Sequence, residues 1–250
     1  MILLTFNVLN STAPLKNGRV FSDIERSAIT VQNTKSVIRI LEKHDIRCTF
    51  FVDIILADNH PELIKAIVSE GHEVAFYFEQ SEFSEIEKVK LKTEDQIEKQ
   101  IRGIRQKEKA VDIDALKEMS FNYVSNIENA SILFPFKHLV RDTTISEVDG
   151  LSIVPESISP YSQLPYNDFV FQMIPMTYYQ GMVAETLKNE EFVLIYLNTF
   201  QFTDLETYPF SLPFYRRYNS GKKMEDKLEA FLSWVNNNEH ATSRMKDYIF

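Results

Sequence analysis

A regular alternation of buried strands and amphipathic helices in the first 78 residues places the strongest constraint on the fold. Short runs of apolar, β-branched and aromatic residues predict strands at residues 2–6, 47–52 and 73–78. A helix capped at Asn33 or Thr34 is predicted between the first two strands. A second helix, with Pro61 in its first turn and Gly71 after its end, is predicted between the last two. Strands and helices that alternate through short links predict a parallel sheet with right-handed crossovers.

The rest of the chain continues this pattern. Composition and periodicity predict further strands at residues 121–124, 132–134, 151–154, 170–174 and 192–197. Helices are predicted from a capping box at Thr93 and Gln96 to about residue 104, and over residues 112–119 and 224–235. No repeat or linker divides the sequence. We therefore expect residues 1–250 to form a single α/β domain, either a barrel or an open doubly wound sheet.

Charge and composition exclude several classes of function. The formal net charge of −9 argues against a nucleic-acid backbone or an anionic membrane surface as the main partner. Cys48 is the only cysteine, which rules out an intramolecular disulfide and a cysteine-rich metal site. None of the five histidines lies three to five residues from another, and the six glycines form no phosphate-binding loop. With no basic leader and no apolar stretch of about 20 residues, the sequence predicts a cytoplasmic protein without a membrane span.

Residues 33–83 carry several motifs in a fixed order and spacing. The motifs are Leu-x4-Ile-x2-Thr-Phe-Phe-Val at residues 41–52, His-Pro-Glu-Leu-Ile at residues 60–64 and Gly-His-Glu-Val at residues 71–74. This stretch strongly resembles the polysaccharide deacetylase family, the NodB-homology domain. Parts of residues 151–232 resemble, more loosely, the subgroup found with exopolysaccharide synthesis. The resemblance implies a distorted (β/α) barrel with its site at the C-terminal ends of the strands.

The family shares one mechanism, which implies roles for particular positions of this sequence. In the family an Asp acts as general base, an acidic residue and two His hold a divalent metal, usually zinc, and a late His acts as general acid. The resemblance places Asn7 at the base, Leu9 and Asn10 at the acidic pair, and Asn198 at the acid. An asparagine amide cannot accept a proton near neutral pH, so these changes remove the acid/base groups.

The other motif positions also depart from the family pattern. Tyr77 and Ser81 stand where the two ligand histidines would lie. Arg105 matches the family's first arginine, although Lys107 stands where a proline should follow, and Gln172 stands at a second arginine. Since Cys, His and carboxylates are the usual zinc ligands, we expect no resident metal and no cofactor.

Together these changes predict a catalytically inactive, deacetylase-like protein that keeps a polar pocket. The pocket would bind a carbohydrate, or a partner protein in polysaccharide synthesis or modification, without hydrolysing an amide. Asn7, Arg105 and Asn198 mark the degenerate catalytic positions. We expect the pocket to be lined by Asn7, Asn10, Tyr77, Ser81, Gln172 and Asn198.

Two other functions remain open. In the first, a rebuilt site makes the protein an active deacetylase that hydrolyses the amide bonds of acetylated sugars, with Tyr77 or relocated carboxylates supplying the chemistry. Asp53, Glu79 and Glu82 follow predicted strands and could face the barrel mouth, where they would suit Mg²⁺ or Ca²⁺. Solvated loop acids are the simpler interpretation of these three. In the second, the protein is a scaffold that uses its aromatic C-terminal half as a protein interface.

Several other side chains have both a structural and a functional interpretation. His72 is predicted to be a structural hydrogen-bonding residue, and His60 a surface residue at a helix start. Arg216 and Arg217 would form a charged rim or contact an acidic partner, and residues 85–109 a solvated helix face. The aromatic residues that would pack in the core or form a platform for sugar rings are Tyr161, Tyr166, Phe169, Phe171, Tyr178, Tyr179, Tyr208, Phe210, Phe214, Tyr215 and Tyr218.

Overall fold

The structure, a computed structural model, describes residues 1–78, 83–107, 112–127 and 143–250. The strands in these ranges are β1 Ile2–Val8, β2 Thr49–Asp53, β3 Glu73–Phe78, β4 Gly103–Lys107, β5 Tyr123–Ile127, β6 Ser146–Val148, β7 Leu151–Val154 and β8 Val193–Asn198. The helices are α1 Asp23–Lys43, α2 Ile54–Asn59, α3 Pro61–Ser69, α4 Phe83–Ile97, α5 Ile113–Glu118, α6 Asp168–Met173, α7 Met176–Asn189, α8 Phe214–Arg217, α9 Lys222–Asn237 and α10 Met245–Ile249. A short 3-10 helix, Thr199–Phe202, follows β8.

The strands form one curled sheet in the order β6-β7-β5-β4-β3-β2-β1-β8. The strand β6 pairs antiparallel with β7, and the other described pairs are parallel. Parallel pairing brings the carboxyl ends of these strands to one edge of the sheet. The predicted α/β class and distorted (β/α) barrel are therefore confirmed. Within the described ranges, no helix is long and apolar enough to cross a membrane.

The strand β1 shows how the sheet separates two sets of side chains. Its even-numbered residues belong to the large core that the sheet shares with the helices. Leu3 belongs instead to a smaller cluster with Phe51, Ala75 and Tyr77. Because side chains alternate between the two faces of a strand, Thr5 and Asn7 share the face of Leu3. We call this face, which the curled sheet encloses, the inner face.

The first helix begins earlier than the sequence predicts. It starts at Asp23, where the Ser22 side chain accepts a hydrogen bond from the Glu25 backbone and the Glu25 carboxylate accepts one from the Ser22 backbone. The predicted caps Asn33 and Thr34 are wrong, since both lie buried in the middle of α1. The Asn33 amide donates a hydrogen bond to Thr203 Oγ1, which explains how a polar residue is accommodated there.

Two other predictions of secondary structure are wrong. Thr93 does not open a helix, because it lies inside α4 and its hydroxyl donates to the Val89 carbonyl. The segment predicted as a strand at residues 170–174 falls mostly in α6, because Asn167 caps that helix through the Val170 amide. The predicted strand at residues 132–134 lies outside the described residues.

Most of the remaining elements are confirmed within a few residues. The strands predicted at residues 2–6, 73–78, 151–154 and 192–197 correspond to β1, β3, β7 and β8. The strand predicted at residues 47–52 begins two residues later, as β2, and the one predicted at residues 121–124 is β5. The helices predicted after Pro61, over residues 112–119 and over residues 224–235 correspond to α3, α5 and α9.

Candidate functional site

The sheet brings most of the predicted site residues to its inner face near the carboxyl ends of the strands. Asn7 pairs in register with Asn198 of β8. Tyr77 lies in register between Asp53 of β2 and Arg105 of β4. Because side chains two residues apart on a strand lie on the same face, these side chains lie on the inner face with Leu3. We call the edge formed by Asn7, Tyr77 and Asn198 the mouth.

A fully buried arginine side chain lies below the mouth. Arg105 Nη1 donates to Asn7 Oδ1 at 2.7 Å and to Thr5 Oγ1 at 3.1 Å. Its Nε and Nη2 both donate to Ser125 Oγ, at 3.2 Å and 2.9 Å. The guanidinium carbon lies 3.7 Å from the centre of the Phe51 ring, a cation–π contact. Burial lowers the pKa of Arg105 to about 9, so this side chain is still a cation at neutral pH.

One described carboxylate, that of Glu156 on the chain after β7, favours the charged form of Arg105. Glu156 is itself buried and accepts a hydrogen bond from the Tyr196 hydroxyl. Burial, with the Glu156 charge adding to it, raises the pKa of Tyr196 far above its usual range, so the phenol remains a donor. The Arg105 charge is therefore balanced through space rather than by a direct ion pair with any described carboxylate.

A chain of hydrogen bonds leads from the buried arginine to the surface. Asn7 Nδ2 donates to Asn198 Oδ1 at 3.0 Å, and Asn198 Nδ2 donates to Asp168 Oδ2 at 2.6 Å. The same carboxylate oxygen accepts a hydrogen bond from Arg216 Nη1 at 3.2 Å. The Arg216 side chain is 46% exposed, whereas that of Asp168 is 12% exposed. Since Arg105 can only donate, it orients the Asn7 amide, and each following group is oriented in turn.

Asn10 and Gln172 lie near this chain but use their side chains elsewhere. The Asn10 amide donates to Ser27 Oγ and accepts from Thr30 Oγ1, which ties the residue to α1. Gln172 is fully buried, and its Nε2 donates to the backbone carbonyls of Arg216 and Tyr218. Gln172 therefore positions the backbone around α8, the short helix that carries Arg216. Ser81, the other predicted lining residue, lies outside the described residues.

The residues at the family's metal-ligand positions do not fit a zinc ion where the structure describes them. Leu9 has no donor atom, the Asn10 oxygen already accepts a hydrogen bond, and Tyr77 carries a phenol instead of an imidazole. In the described ranges no three His, Cys, Asp or Glu side chains are grouped so that they could hold a metal. Asp53 caps α2 through the amides of Ile55 and Leu56, and Glu79 and Glu82 lie outside the described residues.

A second polar cluster, which the sequence did not reveal, lies deeper on the inner face. Glu73 is buried, and its carboxylate accepts hydrogen bonds from Thr49 Oγ1 at 2.7 Å, Tyr123 OH at 2.9 Å and the Lys246 amide at 3.0 Å. Burial raises the pKa of Glu73. The signal in the sequence was Glu73 itself, a charged residue at the start of an otherwise apolar strand. The cluster connects β2, β3 and β5 to α10, and so it is structural.

The two histidines of the sequence motifs have the structural roles predicted for them. His72 is buried, and its Nδ1 accepts a hydrogen bond from the Cys48 amide at 3.3 Å. Burial lowers the pKa of His72 to about 4, and the positive charges of Arg244 and Arg47 add to this effect. His60 precedes α3, and its ring lies 3.0 Å from the Glu62 carboxylate.

The aromatic residues of the C-terminal half divide between core and surface. Tyr166, Phe171, Tyr179 and Phe210 are buried. A separate set is exposed, comprising Tyr161, Tyr178, Phe214, Tyr215 and Tyr218. Phe214, Tyr218 and Arg217 line a cleft of about 800 Å³ between α1 and the start of α9. The core interpretation therefore holds for the first four residues and not for the exposed ones.

Comparison with known proteins finds one family model that matches part of the chain. The family model described as polysaccharide deacetylase matches residues 2–111. A search of the curated proteins finds no match to the sequence. Among solved structures, a Pseudomonas aeruginosa PAO1 protein described as a probable polysaccharide deacetylase is similar with a TM-score of 0.62 and 11% identity, over 98% of this chain and 88% of that one.

A CE4 family pseudoenzyme from Bacillus anthracis is similar with a TM-score of 0.53 and 10% identity, over 99% of this chain and 64% of its own. A mutant of that protein, described as having restored enzymatic activity, has a TM-score of 0.52 and 10% identity, over 99% and 66%. This chain thus spans less than two thirds of the length of either structure. At such identities the likeness establishes a shared fold. The family match covers residues 2–111, less than half of the chain, and the solved structures share its fold.

Proposed function

We propose that this protein binds a carbohydrate at the mouth of its barrel without hydrolysing an amide, in an accessory role in polysaccharide synthesis or modification. The observation that carries the proposal is the hydrogen bond between Asn7 and Asn198. These residues stand at the positions that the resemblance assigns to the general base and the general acid. Their side chains bond to each other as neutral amides.

The loss of acid/base groups is the first support. A deacetylase needs a base to activate water and an acid to protonate the departing amine. Asn7 Oδ1 accepts a hydrogen bond from the Arg105 guanidinium, which holds the amide in one orientation. Neither Asn7 nor Asn198 can exchange a proton near neutral pH. We therefore expect no proton transfer through this pair.

The residues at the metal positions are the second support. Water is a weak nucleophile for an amide unless a metal lowers its pKa. Leu9 and Asn10 cannot supply the anionic ligand, and Tyr77 cannot replace a neutral imidazole. Without these ligand atoms, we expect the mouth to lack the metal site that the related deacetylases use. We infer that any ligand held there leaves unchanged.

The polar groups that remain are suited to binding. Asn198 is partly exposed, and Asp168 and Arg216 continue from it to the surface. Amide, carboxylate and guanidinium groups offer the donors and acceptors that sugar hydroxyls can use. The Bacillus anthracis structure described as a pseudoenzyme gives a precedent for this fold with such a status. The same site can therefore recognise a polysaccharide that it does not cleave.

Catalysis is tested by combining metal analysis with an activity assay. The purified protein is analysed for zinc, cobalt and nickel and incubated with N-acetylglucosamine oligomers, with an active deacetylase as the positive control. We expect less than stoichiometric metal and no release of acetate. Stoichiometric metal together with turnover would refute the proposal. If turnover appears, the variants Asp53→Ala and Glu79→Ala test whether a rebuilt carboxylate site supplies it.

Binding at the mouth is tested by calorimetric titration with the same oligomers. Replacement of Asn198 by Ala removes hydrogen bonds worth about 1–1.5 kcal/mol, so we expect affinity to fall about tenfold. The control is Asn236→Ala, at an exposed amide on α9 that donates to the His44 carbonyl. Unchanged affinity in Asn198→Ala would show that the mouth does not bind these sugars.

A further inference from the structure

Gly181 lies inside α7, where neither the backbone nor the packing requires glycine. A positive φ explains four of the six glycines, namely Gly18, Gly71, Gly150 and Gly221. Gly103 is explained by packing, because a Cβ there would lie 2.0 Å from the Tyr123 ring. A Cβ on Gly181 would meet no atom of the described residues within 4 Å. Since glycine destabilises the interior of a helix relative to alanine, Gly181 weakens α7 without a compensating contact.

Gly181 forms part of the wall of a groove. The groove has a volume of about 700 Å³ and lies between α7 and the segment at residues 159–162. Two tyrosines line it, one on each side: Tyr161 on the segment is 73% exposed, and Tyr178 on α7 is 54% exposed. Gly181 follows Tyr178 by three residues, so both lie on the same face of the helix. The absence of a side chain at Gly181 keeps the space beside the Tyr178 ring open.

The lining of the groove is polar. Ser162 Oγ is shielded from solvent and has no hydrogen-bond partner among the described residues. Glu185, Lys188 and Asn189 complete the helical side with one acid, one base and one amide. Unpaired hydroxyls that are shielded from water are uncommon in folded proteins, so the Ser162 hydroxyl needs a partner that the described residues do not supply. The lining therefore offers hydrogen bonds but has no net charge, so it does not favour a charged ligand.

We propose that this groove binds a neutral saccharide, with a sugar ring stacked on Tyr178 or Tyr161 and its hydroxyls bonded to Ser162 and the polar rim. Tyrosine rings present an apolar face for the C–H groups of a sugar together with a polar tip. The groove volume lies within the range of about 300–1,000 Å³ that is typical of small-molecule sites. A protein partner would need a larger apolar core than this lining provides. The inference does not depend on the proposed function, because the groove shares no residue with the mouth.

The small number of glycines makes a direct test practicable. Protein labelled with ¹⁵N-glycine gives at most six amide signals, and the signal lost in Gly181→Ala identifies Gly181. The labelled protein is titrated with two neutral probes, cellotetraose and chitotetraose. We expect the Gly181 signal to shift progressively with at least one probe. The signal of the buried Gly103 serves as an internal reference and should not move.

Three variants make the test specific. Tyr178→Ala removes the stacking surface, and Gly181→Leu fills the groove with a good helix former, so each should lower the affinity at least tenfold. Tyr215→Ala removes an exposed tyrosine of α8 outside the groove and should leave the affinity unchanged. Gly181→Ala should raise the melting temperature. A lower melting temperature would show instead that the fold requires glycine at this position.

The outcomes also separate this inference from the proposed function. Loss of the Gly181 shift in Tyr178→Ala, with binding retained in Asn198→Ala, supports the groove and removes the case for the mouth. Binding that depends on Asn198 alone and never moves the Gly181 signal overturns the groove. A Gly181 signal that neither probe shifts at millimolar concentration overturns it as well.

Discussion

Arg105 Nη1 donates a hydrogen bond to Asn7 Oδ1 at 2.7 Å, so a buried cation is bonded to a neutral amide. In the described residues the other acceptors of this guanidinium are the hydroxyls of Thr5 and Ser125. A charge without a direct ion pair is expensive to bury, which is why its pKa is lowered to about 9. The geometry of the site therefore depends on the number and planar arrangement of the N–H donors of Arg105.

Replacement of Arg105 by Lys should destabilise the protein strongly. Lysine cannot reproduce the planar fork that reaches Asn7, Thr5 and Ser125 together, and at least one buried acceptor would lose its donor. We expect the free energy of unfolding to fall by about 2–4 kcal/mol, measured by urea denaturation at pH 7. Arg102→Lys, at a partly buried arginine over the Phe250 ring, should cost less than about 1 kcal/mol. Equal effects of the two substitutions would contradict this account of Arg105.

Replacement of Asn198 by Asp should produce a pH-dependent loss of stability. The donor that bonds Asp168 Oδ2 at 2.6 Å would become a second carboxylate facing the first. Repulsion raises the pKa of the new carboxyl in the folded state, so stability is intact below the unfolded pKa and falls as pH rises through the folded pKa. We expect a deficit of about 2–3 kcal/mol at pH 7 that largely disappears below about pH 4.

Urea denaturation at several pH values measures this deficit, and Asn17→Asp is the matched control. Asn17 Oδ1 accepts a hydrogen bond from the Arg19 amide in an exposed turn, and a carboxylate can accept the same bond. The control should therefore remain close to the parent at both pH values. An Asn198→Asp variant whose deficit does not depend on pH would show that Asp168 does not face it as a carboxylate.

The placement of Asn7, Tyr77 and Asn198 on one face of the sheet was predictable, because each residue lies in a strand with a strong local pattern. Apolar runs mark β1, β3 and β8, and alternation assigns these residues to one face of the sheet. The motif spacing anchors the register from residue 41 to residue 74. The predicted placement of Asn10 and Gln172 at the pocket rested on the family pattern alone, and no local pattern indicates their bonds to α1 and α8.

The partners of these residues were not predictable, because they come from segments with weak local signals. Arg105 lies on β4, within the charged stretch at residues 85–109 that predicts a solvated helix face. Asp168 begins α6, where a short apolar run at residues 170–174 suits a strand as well as a helix. Glu156 lies in the irregular segment after β7. Contacts of these three residues are determined by tertiary packing, which periodicity alone does not encode.

Replacement of Gly103 by Ala should destabilise the protein, because the new Cβ would lie 2.0 Å from Tyr123 Cζ. The ring cannot move aside freely, since the Tyr123 hydroxyl donates to the buried Glu73 carboxylate. We expect a loss of about 1–3 kcal/mol in the free energy of unfolding, typical of an overpacked core. The same substitution at Gly181, where the new Cβ would meet no atom within 4 Å, should be stabilising. A harmless Gly103→Ala would contradict the close approach of β4 and β5.

Stability should fall in acid because His72 is buried in its neutral form. Its pKa is lowered from 6.5 to about 4, chiefly by burial, and its Nδ1 accepts the Cys48 amide hydrogen bond. Between these two values the unfolded chain binds more protons than the folded one, so stability falls as the pH drops from 6.5 toward 4. The contribution is fully present above pH 6.5 and amounts to about 3 kcal/mol.

The variant His72→Gln isolates this contribution. Glutamine has a carbonyl oxygen that can accept the Cys48 amide hydrogen bond but does not titrate. His44 and His240 also have lowered pKa values, so they add slopes of the same sign to both proteins. We therefore expect urea midpoints measured from pH 7 to pH 4 to fall less steeply for His72→Gln than for the parent. Parallel pH profiles for the parent and His72→Gln would mean that His72 is protonated as readily in the folded chain as in the unfolded one.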